Sequence, residues 1–484
     1  MAEVSGLPNC YRCGKQPCEC RDMLTLLCGD CRKVMAAMDQ DIIDAVVTDP
    51  PYGLGFMGKD WDCPGGTGDF PMRRTTAANT VNTGASRQGG RQRSCVDWAR
   101  RQTRDMQAFQ TWSEEWAKDV LRVLKPGAHL LAFGGTRTFH RLACALEDAG
   151  FEIRDCVMWI YGEGFPKSLD VSKAIDKAKG ANREVVGTKL GLPGYSLADN
   201  GRTNEVYGDL HNPEAVCAIT APATPEAAKW TGWGTALKPA WEPIIVARKP
   251  LVGTVAENVQ QHGTGALNID GCRVATSDSL NGGAYSPDCR PSISEWVQHG
   301  GTIHNSTGHE YVQPLGRWPT NVIHDGSDEV LACFPDAPGQ QADQNRSGEH
   351  RKAQSVYGPM KRGNEPTADK RYSEAGGTDF SMMPGARRLD TGSAARFFYC
   401  AKADKAERGN GNTHPTVKPL ALMEYLCRLV SRPGHKGVLL DPFAGSGSTL
   451  LCASKWFERV IGIEQDEQYA TIAASRLRQE TLFT

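Results

Sequence analysis

Apolar and polar residues alternate along much of this chain with two distinct periods. Short β-branched runs predict strands, and longer stretches with one apolar face predict helices. Between Asp22 and about Lys249 the predicted strands are Leu24–Cys28, Ala45–Thr48, His129–Phe133 and Val157–Tyr161, and the predicted helices are Met106–Leu124 and Thr136–Ala149. From Arg396 the alternation returns, with strands at Val438–Leu440 and Arg459–Ile463 and helices at Ser448–Lys455 and Gln465–Gln479. Strands that alternate with helices predict a doubly wound α/β sheet, mostly parallel.

The same pattern divides the chain into four pieces. Residues 1–21 form a cysteine-rich leader, and residues 22–250 form the first α/β part. Residues 251–395 are rich in Gly, Ser, Asp, Arg and Pro and have little periodicity, whereas residues 396–484 are again α/β. We therefore expect one α/β core that is interrupted by a long polar insert.

Composition supports a globular protein and excludes several classes. The chain has 484 residues, of which 40% are hydrophobic and 23% charged, as in ordinary globular domains. No apolar run reaches the ~18 residues that a spanning helix needs, so no membrane partner is expected. The N-terminus lacks the basic and apolar regions of a secretion signal, which predicts a cytoplasmic protein. Its seventeen cysteines are then mostly reduced thiols, with metal binding as the alternative.

Positive charge is concentrated in one segment although the net charge is only −1. The segment from Met72 to Arg104 contains one acid, Asp97, and these eight arginines: Arg73, Arg74, Arg87, Arg91, Arg93, Arg100, Arg101 and Arg104. An arginine-rich loop of this kind can bind the phosphates of a nucleic acid and become ordered there. A solvated surface loop is the alternative that composition leaves open.

The sharpest local signal is Asp49-Pro50-Pro51-Tyr52, which follows a buried-type strand. The two prolines have no N–H, so the carbonyls around them are free to accept hydrogen bonds from elsewhere. Together with the Asp49 carboxylate they would form a site made only of acceptors, at the sheet edge where α/β proteins bind ligands. Such a site suits an exocyclic amine, and Tyr52 offers a flat ring for stacking. A simple strand-ending turn is the alternative.

A second signal has the order strand, glycine loop, helix, strand and acid. The loop Asp441-Pro442-Phe443-Ala444-Gly445-Ser446-Gly447 precedes a helix near Ser448, and the next strand ends at Glu464. The glycines allow a tight turn and the close approach of a ligand, and Glu464 can accept from ribose hydroxyls. The loop lacks the third glycine of dinucleotide-binding proteins and has no Walker lysine. We therefore expect an adenosine-containing ligand other than NAD or ATP.

These two motifs resemble those of S-adenosylmethionine-dependent DNA amino-methyltransferases. Asp49-Pro50-Pro51-Tyr52 is similar to their catalytic motif, and residues 441–447 are similar to their cofactor loop. The catalytic motif comes first in the chain, as in the permuted β-group. Further similar segments are Leu26–Cys31, Thr413–Pro419 and the phage-type segment Trp159–Lys167. The resemblance covers roughly residues 22–250 and 396–484.

The resemblance implies a circularly permuted, Rossmann-like methyltransferase fold that methylates the N6 amine of a flipped-out adenine in double-stranded DNA. Asp49 and the Pro50 carbonyl would then accept from the amine, and Tyr52 would stack on the base. Asp30 would contact the cofactor adenine, and Lys418 would reach the cofactor carboxylate or be a solvated residue. Aspartate at position 49 favours adenine in this family, but only by association. Cytosine N4 therefore remains the second candidate. An RNA or protein methyltransferase and an inactive DNA-binding module are the further alternatives. No nuclease motif is evident in the sequence, which favours a stand-alone modification enzyme.

The resemblance also implies that the insert 251–395 recognises the DNA target. Basic and aromatic residues are interleaved there, and the DNA-binding candidates are Arg351, Lys361, Arg362 and Arg371 together with Arg73, Arg74, Arg87, Arg91 and Arg93. A solvated charged region is the alternative.

Two further predictions concern the leader and the assembly. The thiols of Cys10, Cys13, Cys18 and Cys20 have a spacing that could close a tetrahedral zinc site, and a metal-free leader is the alternative. We expect a homodimer or a higher homo-oligomer, chiefly because family members with large inserts commonly surround DNA with two subunits. A weaker argument is the large apolar surface of the two predicted helices, which carry Phe109, Trp112, Trp116, Phe139 and Leu142. A thick core is the alternative for these residues.

Overall fold

The structure is a computed structural model. It describes residues 24–53, 95–162, 164, 168–190, 216–278, 280, 314–336, 392–402 and 417–480. The strands in these ranges are β1 (Leu24–Cys28), β2 (Ile43–Thr48), β3 (Leu124–Phe133), β4 (Glu152–Ile160), β5 (Val185–Leu190), β6 (Val216–Thr220), β7 (Trp241–Arg248), β8 (Val322–His324), β9 (Tyr399–Cys400), β10 (Val438–Asp441) and β11 (Arg459–Glu464).

The helices of the described ranges lie between these strands. They are α1 (Cys31–Ala36), α2 (Cys95–Val123), α3 (Phe139–Ala149), α4 (Val171–Lys179), α5 (Pro225–Lys229), α6 (Val255–His262), α7 (Asp328–Leu331), α8 (Leu420–Leu429), α9 (Ser448–Ala453) and α10 (Glu467–Glu480). Short 3-10 turns occur at Asp270–Cys272, Ala394–Phe397 and Pro433–His435.

Nine of the described strands form one sheet in the order β1-β11-β10-β2-β3-β7-β4-β8-β9. All neighbours in it are parallel except β7, which is antiparallel to both β3 and β4. The remaining two strands, β5 and β6, form an antiparallel pair. The predicted α/β sheet, mostly parallel, is confirmed.

Apolar layers cover both faces of the sheet. Every residue of β2 is buried, as expected for a central parallel strand that reads as an almost continuous apolar run. Successive side chains of a strand point to opposite faces. Accordingly, Ala45 and Val47 pack with Leu422 and Leu426 of α8, whereas Val46 packs with Trp116 of α2 on the other face.

Helix α2 differs from the sequence-based expectation at its N-terminal end. We predicted a loop from Met72 to Arg104 and a helix from Met106, but the helix begins at Cys95. Arg100, Arg101 and Arg104 therefore belong to a helix. Residues 95–105 contain no glycine or proline, and the Arg, Gln and Ala residues among them are good helix formers. We predicted a loop because we considered only the charge of these residues and not their helical propensity.

Three of the five apolar residues named above for α2 and α3 are core residues. Phe109, Trp116 and Leu142 are at most 2% exposed, and they pack in one cluster with β2 and β3. Trp112 lies against Phe109 and Trp116, with ring centroids 6.3 and 6.4 Å apart. For Phe109, Trp116 and Leu142 the structure supports the thick-core alternative, and these three residues carry no argument for a homodimer.

Parts of the predicted insert 251–395 belong to the core sheet. Strand β8 of the insert pairs in parallel with β4 on one side and with β9 on the other, so it extends the edge of the sheet. Helix α6 packs near β3, where the Asn258 amide donates to the Pro126 carbonyl at 2.9 Å and to the Thr264 carbonyl at 2.8 Å. Cys272 lies in the same apolar cluster as α8, and the role of residues 251–395 in recognising DNA stays a prediction.

Candidate active site

The two sequence motifs lie side by side at the carboxyl edge of the sheet. Strand β2 ends at Thr48, just before Asp49, and its neighbour β10 ends at Asp441. The Thr48 hydroxyl donates to Asp441 Oδ1 at 2.6 Å, and both residues are buried. A direct hydrogen bond therefore joins the segment that carries Asp49 to the loop that begins at Asp441.

Four side chains from three distant parts of the chain form what we call the acidic pocket: Asp49, Tyr52, Glu242 and Lys418. The Lys418 ammonium lies 2.8 Å from Asp49 Oδ2 and 3.2 Å from Glu242 Oε2. The Tyr52 hydroxyl donates to Asp49 Oδ1 at 2.9 Å and lies 3.3 Å from Glu242 Oε2. Asp49 is thus bound on one oxygen by an ammonium and on the other by a phenol.

The protonation of the two donors follows from their burial and from the carboxylates. Burial alone would lower the pKa of Lys418, but the charges of Asp49 and Glu242 raise it above its usual value. Burial, together with the same two charges, raises the pKa of Tyr52 well above its usual value. Lys418 therefore stays an ammonium and Tyr52 a neutral phenol across the physiological pH range.

The rings around the pocket fix its shape. The Lys418 ammonium lies 4.8 Å from the centroid of the Phe133 ring and 5.4 Å from that of Tyr52, both within cation–π range. Gly135 lies against Tyr52: a Cβ at this position would be 3.1 Å from the Tyr52 ring. The glycine therefore allows the segment after β3 to approach the Tyr52 ring closely.

Glu242 is a pocket residue that the sequence analysis missed. It lies at the start of β7, the antiparallel strand, so its side chain reaches the same edge as the ends of the parallel strands. A carboxylate at the start of a buried, β-branched strand was the available signal, since such strands rarely begin with an acid unless it is partnered. Its partners lie far away in sequence, which is why local motifs did not reveal it.

Lys418 has different partners in the structure from those that the sequence predicted. We expected it to reach a cofactor carboxylate near the glycine loop, or to be solvated. Instead its side chain is only 9% exposed and its ammonium bonds to Asp49, Tyr52 and Glu242. Residue 418 lies two positions before α8, which packs against the sheet and so directs the side chain into the pocket. The solvated alternative was wrong.

The glycine loop, residues 441–447, turns from β10 into α9. Gly445 and Gly447 have φ angles of +53° and +84°, which side-chain-bearing residues rarely adopt. A Cβ on Gly447 would lie 3.2 Å from the Ala473 Cβ, so this glycine allows α10 to approach the loop closely. Phe443 points to the opposite side and packs on Trp112 and Trp116, with centroids 5.8 and 5.3 Å apart.

Two acids hold the loop. The Gly445 amide donates to Glu464 Oε2 at 2.7 Å, and the Asp466 amide donates to Glu464 Oε1 at 2.8 Å. The Phe443 amide donates to Asp441 Oδ1 at 3.1 Å. Burial raises the pKa of Asp441 to about 6 and that of Glu464 to about 7, although these hydrogen bonds oppose the shift.

Arg476 supports the loop from below, and the sequence analysis did not identify it. Its guanidinium is buried and donates to the Ser446 carbonyl at 2.7 Å, to the Ser446 hydroxyl at 3.0 Å and to the Ser448 hydroxyl at 3.2 Å. It belongs to α10, whose amphipathic pattern gives no hint that an arginine faces inward. A charged donor that binds a loop carbonyl fixes the loop backbone more firmly than a neutral one.

The remaining predicted residues fall into two groups. Asp30 follows β1 beside the Glu464 end of β11, but its carboxylate caps α1 and binds the Arg32 guanidinium at 2.9 Å. Outside the described residues lie the four leader cysteines (Cys10, Cys13, Cys18, Cys20) and all nine DNA-binding candidates (Arg73, Arg74, Arg87, Arg91, Arg93, Arg351, Lys361, Arg362, Arg371). Zinc and DNA binding by these residues stay predictions. In the described ranges, no three His, Cys, Asp or Glu side chains are grouped as a metal site, and no helix is long and apolar enough to cross a bilayer.

Comparison with known proteins links this edge to a family. A family model for N6/N4 methyltransferases, described as DNA methylase, matches residues 43–183 and 294–475. The type II methyltransferase M.HindIII of Haemophilus influenzae is 25% identical over 443 residues, which are 91% of this chain and 90% of that protein. Two solved structures are also similar over 94% of this chain. The M1.HpyAVI–SAM complex is 12% identical with a TM-score of 0.31 over 100% of that chain, and the cytosine-N4-specific PvuII DNA methyltransferase is 11% identical with a TM-score of 0.38 over 86% of that chain. The family match spans more than half of the chain and includes both Asp49 and the glycine loop, so the chain belongs to the N6/N4 family of DNA methylases.

Proposed function

We propose that the protein transfers a methyl group from S-adenosylmethionine to the exocyclic N6 amine of an adenine in duplex DNA. The observation that carries the proposal is the position of Asp49. Its carboxylate stands at the carboxyl edge of the sheet, in a pocket that the Thr48–Asp441 hydrogen bond joins to the glycine loop. An acceptor for an amine next to a loop for an adenosine-containing ligand is what amine methylation requires.

The residues around the glycine loop fit such a cofactor. Each Glu464 oxygen accepts one backbone N–H, so each retains a lone pair for a ribose hydroxyl. Asp30, at the end of the neighbouring strand, would contact the adenine. The backbone of residues 441–447 would hold the methionine part, supported by Arg476 from the side of α10. When bound, S-adenosylmethionine supplies a methyl group activated by its positively charged sulfur.

The acidic pocket would prepare the amine. The lone pair of an exocyclic amine is delocalised into its ring, so the nitrogen is a poor nucleophile. Asp49 and the Pro50 carbonyl would accept its two hydrogens, which orients the nitrogen and draws its lone pair out of the ring plane. Such positioning in a site of fixed dipoles accounts for most of the rate gain in transfers of this kind.

The target atom lies inside the duplex, so the base must flip out before it can react. Tyr52, which directly follows the two prolines, is our candidate for stacking on the flipped base. The arginine-rich segment 72–104 and the insert basic residues would bind DNA phosphates. Neutralising Arg87, Arg91 and Arg93 together should then weaken binding to all sequences and flatten its salt dependence. A loss confined to one sequence would instead indicate base reading.

Cytosine N4 is the second candidate target. The matched family includes N6 and N4 enzymes, and a solved relative is cytosine-N4-specific. Aspartate at position 49, by association within the family, favours adenine. The experiment is incubation with labelled S-adenosylmethionine and duplex DNA or RNA, followed by digestion to nucleosides and mass spectrometry. N6-methyldeoxyadenosine confirms the proposal, N4-methyldeoxycytidine selects the second candidate, and label only in RNA, or in no nucleoside, contradicts both.

We also propose a homodimer, since a duplex presents two strands and one pocket holds one flipped base. Light scattering at micromolar protein, with and without duplex DNA, tests this. A particle of 52.6 kDa in both conditions would show that the monomer is the working form.

A further inference from the structure

In the acidic pocket an acceptor and a donor stand next to each other. Asp49 Oδ2 and the Lys418 ammonium are 2.8 Å apart, at the edge where the target amine would enter. An ammonium has three hydrogens to donate. In the structure they face Asp49, Glu242 and the Tyr52 hydroxyl. Without DNA, Lys418 thus occupies one of the oxygens that would accept from the amine.

The four DNA bases differ in what they present to such a pair. Adenine and cytosine each carry an exocyclic amine beside an unprotonated ring nitrogen, which is a donor next to an acceptor. Guanine and thymine present a ring N–H beside a carbonyl at the corresponding positions. An acceptor next to a donor therefore complements the edge of adenine and cytosine, and it opposes the edge of the other two bases.

We propose that Lys418 reads the target base by donating a hydrogen bond to the ring nitrogen beside the methylated amine, while Asp49 accepts from the amine itself. This inference rests on the proposed function. It makes Lys418 a specificity-determining residue that contacts the base, and it explains why a lysine is buried beside the carboxylate that binds the amine.

Glu242 has a separate part in this arrangement. When the Asp49 oxygens turn to the amine, the buried ammonium loses part of its counter-charge, and an uncompensated buried charge is costly. Glu242 lies 3.2 Å from the ammonium and comes from β7, so it stays in place when Asp49 changes partner. We assign it as the positioning residue that keeps Lys418 in the pocket while the base is bound.

The test combines a base analogue with a variant. In 1-deazaadenine the ring nitrogen beside the amine is replaced by C–H, so the amine remains and the acceptor is lost. Methyl transfer is measured in a single turnover at saturating cofactor, on duplexes with adenine or 1-deazaadenine at the target position. For the wild type we expect the analogue to react ~10- to 100-fold more slowly, the range for a hydrogen bond to a charged donor.

The Lys418→Met variant should react ~10- to 100-fold more slowly than wild type on adenine. Its rate on the analogue should be less than about threefold below its own rate on adenine. Lys455→Met, on a surface side chain that is 61% exposed, serves as the matched control and should behave as wild type. Glu242→Gln should be slower but keep the sensitivity to the analogue. If N4-methylcytosine is the product, 3-deazacytosine replaces the analogue.

Two results would overturn the inference: a wild type that methylates both bases equally fast, or a Lys418→Met variant as sensitive to the analogue as the wild type. Cofactor binding by the variant shows whether it has folded. If Lys418→Met does not bind cofactor, the wild-type comparison of the two bases decides alone. If the wild type methylates no duplex at all, the proposed function fails and this inference with it.

Discussion

The acidic pocket and the glycine loop lie on adjacent strands, yet they are built in opposite ways. The loop is a continuous segment whose shape follows from its own residues: positive φ angles at Gly445 and Gly447 and a nearby acid on the next strand. The pocket is formed by side chains from the segment after β2, from the start of β7 and from Lys418, two positions before α8. A continuous segment can be recognised in the sequence as a motif, whereas a pocket assembled from distant segments can be recognised there only in part.

The two regions also carry different electrostatics. Two carboxylates surround one ammonium in the pocket, so negative charge is in excess there and the donors stay protonated. The loop is held by a buried acid, Asp441, and a half-buried acid, Glu464, whose pKa values are raised toward neutrality, and by a buried guanidinium. This difference predicts that changes in the pocket act on the transfer step and that changes around the loop act on cofactor affinity.

The largest effect should come from Asp49→Ala. Without this carboxylate only the Pro50 carbonyl is left to accept from the amine, and Lys418 loses its nearest counter-charge. We expect single-turnover methyl transfer to fall at least ~1000-fold, about 4 kcal/mol on the barrier. Turnover within tenfold of wild type would mean that Asp49 does not serve the amine.

Arg476→Met should rank second. The change removes the donors to the Ser446 carbonyl and to two hydroxyls, so the loop backbone loses its support from α10. We expect cofactor affinity, measured by calorimetry, to fall ~10- to 30-fold, as for the loss of hydrogen bonds from a charged group. Arg478→Met, on the exposed side of the same helix, is the control and should leave affinity unchanged. Equal losses in both variants would mean a general effect on α10.

The sequence predicted most of the fold but only part of the site, for reasons visible in particular residues. Strands such as β2 and β11 are nearly continuous apolar runs, and their alternation with helices determines a parallel sheet. The polar segment near β8 has no such pattern, so its pairing with β4 was missed. Asp49 and Glu464 belong to local motifs. Glu242 and Arg476 matter because of residues more than a hundred and about thirty positions away respectively, and a single sequence carries no record of such pairs.

The third effect is a pH dependence of cofactor affinity. Burial raises the pKa of Glu464 to about 7, so its carboxylate becomes protonated, and loses acceptor capacity, as the pH falls through that value. If ribose hydroxyls bind the ionised form, affinity should be constant above pH ~8 and ~10-fold weaker at pH 6. Asp441, with a pKa of about 6, should add a further fall below that pH. Glu464→Gln should bind more weakly with a flat profile from pH 6 to 8, and a flat wild-type profile would contradict the assignment.

The smallest effect should come from Gly447→Ala. At φ +84° an alanine costs about 1 kcal/mol, and its Cβ would press on Ala473 at 3.2 Å. Gly180→Ala is the matched control, because Gly180 also has a positive φ of +67° but open space where the Cβ would lie. Thermal unfolding should show a larger loss of stability for Gly447→Ala than for Gly180→Ala. Equal losses would mean that backbone strain acts alone and that the loop does not depend on contact with α10.

The most direct test of the division between pocket and loop measures two quantities on the same preparations of Asp49→Ala and Arg476→Met. The first is the cofactor Kd, and the second is the single-turnover rate of methyl transfer to duplex DNA at saturating cofactor. We predict a crossed result: Asp49→Ala keeps its Kd within ~3-fold and loses transfer, whereas Arg476→Met loses affinity and transfers within ~3-fold of wild type once saturated. Parallel losses of affinity and rate in both variants would contradict the account, because they would show that the two regions act as one site.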